Sequence, residues 1–102
     1  MNDVKIVELE VTDIRFFSEF DESAFFEWLD KLACVQKYTG RGKNLYITIN
    51  SDAVDEDALR EFLSLFRRYG IAMQQLVIFD RQEFAEWLHD KRAYWYTEVF
   101  EQ

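Results

Sequence analysis

Cys34 and His89 are the only thiol and the only imidazole in the chain. A nucleophile with its base is the first chemistry they suggest, since such partners meet in space rather than in sequence. Local sequence gives that pair no support. His89 stands one residue before Asp90 and three before Arg92, and helical neighbours at i+1 point to different faces, so His89 and Asp90 make no dyad. Cys34 falls at the expected end of a helix, where it reads as a small apolar filler, and His89 reads as a partly exposed polar residue. One Cys and one His cannot build a structural zinc site, and the acidic stretches lack the glycine at position six of a calcium loop. Gly40-Arg41-Gly42-Lys43 has neither the spacing of a phosphate loop nor a helix after it. The expectation is a protein with no catalytic residue, metal or cofactor.

Two other groups of residues could bind rather than react. Asp52, Asp55, Glu56 and Asp57 place four carboxylates within six positions at the start of a strong helix pattern. Capping and dipole complementarity use one or two of them, each worth about 0.3 to 1 kcal/mol. The surplus projects a negative field suited to a cationic partner. Near the other end, Tyr94, Trp95, Tyr96 and Phe100 bring four large rings into seven residues, more than one helix face buries. Tyr and Trp are common anchors of protein interfaces. With Trp95 and Phe100 turned inward, Tyr94 and Tyr96 are the rings left for contact.

The elements that must position these groups follow from periodicity. Val7, Leu9 and Val11 alternate with Glu8 and Glu10, so Val4 to Val11 reads as a half-buried strand, with Ile14 to Phe17 a continuation after a break at Thr12-Asp13. Asp21 serves as the N-cap of a first helix whose stripe is Phe25, Trp28, Leu29 and Leu32, ending near Ala33 or Cys34. Val35 to Thr39 and Leu45 to Ile49 flank Gly40–Asn44 as a hairpin with a longer loop. Asn50-Ser51-Asp52 opens a second helix with Leu59, Phe62, Leu63, Phe66 and Tyr69 on its inner face and Gly70 as its stop. Leu76 to Phe79 reads as a short buried strand, joined to the hairpin by a right-handed parallel crossover. Asp80 with Glu83 resembles a capping box for a last helical region carrying Phe84, Trp87 and Leu88, and Tyr94 to Phe100 continues it. The expected fold is α/β (α+β): one small domain over residues 1–102, order β-α-β-β-α-β-α, with a mixed sheet packed by helices.

Composition narrows the function classes. The chain has 102 residues, 20 acidic and 12 basic side chains and a net charge of -8. Nucleic-acid affinity rests mainly on Lys and Arg meeting phosphates, so an acidic chain points to a basic protein partner and not to nucleic acid. Ten Phe, five Tyr and three Trp supply the burial that disordered chains lack. Apolar runs such as Leu76–Phe79 and Ala93–Tyr96 reach only four residues, against the roughly 20 residues a membrane helix needs. Met1-Asn2-Asp3-Val4-Lys5 has no basic region followed by an apolar core, so no secretory signal is expected. A single cysteine agrees with a reducing compartment, and the expected location is the cytoplasm.

The stretch Leu45–Asp52, the helix Leu59-Arg60-Glu61-Phe62 through Leu65–Gly70, and the closing Ala93–Tyr96 with Val99-Phe100 resemble small bacterial immunity proteins, in particular those of contact-dependent growth inhibition systems. The resemblance spans roughly residues 20 to 100 and rests on framework apolar and aromatic positions. It implies a cytosolic antitoxin that binds and blocks the toxic C-terminal domain of a delivered protein, often a nuclease acting on tRNA. Members of that group match their own toxins individually, so the contact set is argued from physics: Asp52, Asp55, Glu56, Asp57, Tyr94 and Tyr96, in a one-to-one complex with a basic toxin domain. The alternative is an acidic regulatory module, such as a phage-encoded nucleic-acid mimic.

Overall fold

The computed structural model describes residues 5–101. Met1–Val4, including the Val4 that the alternation assigns to the first strand, lie outside the described residues. Strand β1 (Ile6–Thr12) is followed by helix α1 (Glu19–Asp30), strands β2 (Val35–Arg41) and β3 (Asn44–Asn50), helix α2 (Glu56–Tyr69), and the short helices α3 (Ala85–Leu88) and α4 (Tyr96–Phe100). Three 3₁₀ segments, Ser51–Ala53, Met73–Phe79 and Gln82–Phe84, join them. The α/β class and the expected order hold up to residue 70. Among the described residues no helix is long and apolar enough to cross a membrane.

The sheet is antiparallel throughout, in the order β1-β3-β2. Pairing of Val7 with Ile49, Leu9 with Ile47 and Val11 with Leu45 puts every second residue on one face, and Leu9, Val11, Ile47 and Ile49 are buried there. Glu8, Glu10, Tyr46 and Thr48 fall on the opposite face. The hairpin turn is tighter than expected, since β2 runs to Arg41 and β3 starts at Asn44. Gly42 takes φ +61, as a two-residue turn that follows the strand twist requires. β1 stops where Asp13 adopts φ +54, a conformation Asp tolerates better than most residues. Ile14–Phe17 therefore leave the sheet.

Helix α1 starts three residues earlier than expected. Ser18 is the N-cap: its Oγ accepts from Asp21 N at 3.1 Å, and the Asp21 carboxylate in turn accepts from Phe17 N at 2.9 Å. Asp21 is thus the third residue of a reciprocal cap, not the cap itself. Helix α2 is the spine of the core. Asp55 caps it through Ala58 N at 2.8 Å, and Gly70 ends it at φ +69. Leu59, Phe62, Leu63 and Phe66 are buried along it.

The expected last strand, Leu76 to Phe79, is not a strand. Met73–Phe79 forms a 3₁₀ helix, so among the described residues the sheet is not mixed and there is no parallel crossover. The reason lies in the spacing: Met73, Leu76 and Phe79 are buried at intervals of three, the period of a 3₁₀ helix. Phe79 stacks on Phe62 with ring centroids 6.1 Å apart and planes 9° from parallel. Gln75 reaches β1 by its side chain alone, exchanging two 2.7 Å hydrogen bonds with the Glu10 backbone. The expected capping box at Asp80 and Glu83 is also absent. The 3₁₀ turn there has no side-chain cap, Asp80 bonds His89 instead, and Glu83 pairs with Arg81 at 2.8 Å.

Candidate functional site

Cys34 and His89 do not meet. Cys34 is buried and lines a cavity with Leu32, Ala33, Ala53, Asp55 and Ala58. Burial pushes its thiol pKa up and the Asp55 charge adds to that, against a smaller opposing pull from a backbone hydrogen bond. A nucleophilic cysteine needs the reverse, a thiolate favoured by its surroundings. His89 lies among other residues: its Nε2 is 2.8 Å from Asp80 Oδ1, its ring stacks on Phe100 at 4.3 Å, and Tyr96 meets it edge-on at 6.5 Å. Asp90 turns away, accepting from Arg92 N at 2.9 Å, and this bond holds its carboxyl below the usual range. The Asp80–His89 contact was not foreseen because Asp80 has the residue type and position of a cap.

The four carboxylates before and in the first turn of α2 divide by role. Asp55 is spent on the cap, and Glu56 pairs with Arg60 at 2.8 Å across one helical turn. Asp52 and Asp57 are exposed, and neither carboxylate has an intramolecular partner among the described residues. The nearby cation does not neutralise them. Arg81 extends under the turn and donates to Ser51 O at 2.9 Å and to Val54 O, while its guanidinium lies 4.8 Å over the Phe84 ring. It fixes the backbone that presents the acids and leaves their charge free.

The C-terminal aromatics sit on two sides of the molecule. Tyr94 is 47% exposed, and its hydroxyl is 3.2 Å from Ser64 Oγ on α2. Glu56, Arg60 and Ser64 are spaced by four, so Tyr94 stands on the same flank of α2 as Glu56, about 12 Å along the axis. Between them Arg60 covers the Trp87 ring at 4.1 Å. Trp95 points inward as expected, donating from Nε1 to Leu88 O at 2.8 Å. Phe100 and Tyr96 depart from the expected division. Both are half-buried, 5.3 Å apart beside His89, so Tyr96 stands with His89 while Tyr94 stands on the Glu56 flank of α2, about two turns along.

The most exposed large apolar side chains were not singled out by sequence. Phe17 and Phe20, before and in the first turn of α1, are each 86% exposed. A signal existed: Phe20 lies about 140° round the helix from Phe25, off the buried stripe, and Phe16 already fills the place beside Phe25, ring centroids 5.5 Å apart. Isolated exposed apolar residues are ordinary, whereas a contiguous exposed apolar patch marks a contact surface.

Comparison of the chain with models of protein families, with curated proteins and with solved structures finds no match.

Proposed function

We propose that this chain is a non-catalytic immunity protein of the cytoplasm that neutralises a basic nuclease toxin domain, such as one that cleaves tRNA, through a one-to-one complex. The observation that carries the reading is the division among the carboxylates at α2. Capping consumes Asp55 and an ion pair consumes Glu56, whereas Asp52 and Asp57 stand exposed without partners among the described residues. Nuclease clefts are basic because they hold phosphates, and an acidic surface is steered to them at high rate. Tyr94, about two turns along α2 from Glu56, supplies a rigid ring with a polar tip, the kind of anchor from which tight binding is built. The test is co-expression with the C-terminal domain of a large secreted protein encoded directly upstream. A stable 1:1 complex in which nuclease activity on tRNA is lost supports the proposal. Separate elution of the two proteins with activity intact refutes it.

A further inference from the structure

Helices α1 and α2 run antiparallel, joined near one end by Tyr69 Oη donating to Asp21 O at 3.3 Å and near the middle by Trp28 Nε1 donating to Glu61 Oε1 at 2.8 Å. Cavities open along the outer side of this seam. A cavity of about 750 Å³ lies at the Phe17 end, one of about 280 Å³ in the middle, and one of about 200 Å³ at the Asp55 end. Ala24 and Trp28 line both the first and the second, and Lys31 and Glu61 both the second and the third. The three therefore adjoin along the α1–α2 seam, which is about 18 Å long over the twelve residues of α1 and is crossed by the Trp28–Glu61 bond.

The two ends of this groove differ in character. At the first, Asp13 and Asp21 are balanced by Arg15 and Arg68, and Phe17 and Phe20 stand out of the surface. At the second, Asp55, Asp57 and Glu61 face Lys31 as the lone lining cation, and Glu27 adds a further negative charge midway. The groove is thus aromatic and balanced at one end and anionic at the other. A second copy of this chain, itself at -8, meets repulsion at the anionic end.

We infer that the α1–α2 groove is the docking site of the partner protein, and that it receives a basic amphipathic helix whose apolar residues lie against Phe17, Phe20 and Ala24 and whose Lys or Arg residues lie over Asp57 and Glu61. Helices seat in grooves between helices through an apolar stripe, with flanking charges setting direction. This deepens the inhibitor reading and rests on it: the groove includes Asp55 and Asp57 but puts the aromatic anchor at Phe17 and Phe20, at the start of α1 rather than at Tyr94.

The probe is a fluorescein-labelled peptide of about 18 residues, five helical turns, made of Leu and Lys with Leu at helical spacing. Its control has the same composition scrambled. The whole chain, labelled with ¹⁵N, is titrated with each at low salt. The amphipathic peptide is expected to bind saturably and to shift the amides of Phe17, Ala24, Lys31 and Asp57, with the scrambled peptide at least about tenfold weaker. Ala24→Arg puts bulk and positive charge into the groove at an exposed site where Arg is a good helix former, so the helix is kept. It should weaken binding at least about tenfold, and Phe17→Ser with Phe20→Ser about threefold or more. No binding by the parent chain overturns the inference. So does unchanged affinity in Ala24→Arg, or shifts confined to the outer sheet face or to Tyr94. The inhibitor reading is judged separately. A 1:1 toxin complex that forms as well with Ala24→Arg removes the groove and keeps the inhibitor, whereas failure of the parent chain to bind toxin removes the inhibitor.

Discussion

The side-chain amide of Gln75 pairs with the peptide of Glu10 as a neighbouring strand would. Gln75 Nε2 donates to Glu10 O at 2.7 Å, and Glu10 N donates to Gln75 Oε1 at 2.7 Å. One amide thus takes the place of a fourth strand at the open edge of β1. Gln75 Nε2 also donates to Ala72 O at 3.2 Å, which fixes the amide's orientation. Exposed sheet edges template association with other chains, and this contact covers part of one.

Gln75→Ala removes both bonds and should lower stability by about 1 to 2 kcal/mol, read from urea unfolding. Gln75→Glu can still accept from Glu10 N but cannot donate to Glu10 O, so it should fall between parent and Ala at neutral pH. Sedimentation of the Ala variant should also show more self-association. Identical unfolding midpoints for all three proteins would remove the amide's role at the edge.

Arg81 donates to the carbonyls of Ser51 and Val54, 30 and 27 positions away in the chain. A lysine cannot reproduce two diverging bonds from one planar group. Arg81→Lys should therefore destabilise by about 1 to 2 kcal/mol and Arg81→Ala by about 2 to 3 kcal/mol. Hydrogen exchange should localise the loosening to Ser51–Val54 and the start of α2. Equal stability of the Lys variant and the parent would show that only the positive charge matters.

Cys34, Tyr38 and Tyr69 all hold their protons more tightly in the folded chain. Burial raises the Cys34 thiol from its ordinary 9.0, the hydrogen bond to Asp30 raises Tyr38 from 10.0, and burial raises Tyr69 from 10.0. The unfolded groups therefore ionise first as pH rises. The unfolded state then binds fewer protons, and stability falls with pH. The decline should begin near pH 9.0 through Cys34 and steepen above 10.0 through the tyrosines. Urea midpoints measured from about pH 8 to 11 check the sign. Cys34→Ala should delay the onset, and an onset unchanged in that variant would remove Cys34 from the alkaline decline.

Asp52 and Asp57 can be reversed to lysine with little damage to the fold, because neither carboxylate makes an intramolecular bond among the described residues. Asp57 lies in the first turn of α2, so its reversal costs about 0.3 to 1 kcal/mol through the helix dipole. The double variant should unfold cooperatively near the parent's temperature, yet associate with the proposed basic partner at least about tenfold more slowly at low salt. The gap should narrow at high ionic strength, where charges more than about 8 to 10 Å apart are screened. Association rates that respond neither to salt nor to the substitutions would eliminate steering by this surface.

What sequence could reveal of the fold followed the length of each repeating pattern. Helix α2 shows itself through Leu59, Phe62, Leu63 and Phe66 with Gly70 behind them, and β3 through the alternation of Leu45, Ile47 and Ile49. Met73–Phe79 misleads because Val77-Ile78 has strand character, while the decisive interval of three is carried by only Met73, Leu76 and Phe79. At α1, Ser18 and Asp21 are both competent caps, and only the geometry assigns them. Of the candidate surface, the acids are visible by type alone. Which of them are free depends on Arg60 at the next turn and on Arg81 reaching Ser51 and Val54. Phe17 and Phe20 are of the same type as the buried Phe25, and a groove between α1 and α2 exists only once both helices are placed.

The order β1-β3-β2 sets a sequence of events as well as a shape. Pairing β2 with β3 closes a two-residue turn, but pairing β1 with β3 must close a loop of about 30 residues between Thr12 and Asn44, at an additional entropic cost of about 2 kcal/mol. The hairpin and α2 should therefore assemble first and β1 dock last. Truncating Leu9 or Val11 should mainly speed unfolding, and truncating Ile47 should mainly slow folding. Until β1 arrives, the edge of β3 is open to any matching strand. At high concentration the first strand of a neighbouring molecule competes for it, so refolding from denaturant should yield a strand-exchanged dimer whose share grows with protein concentration.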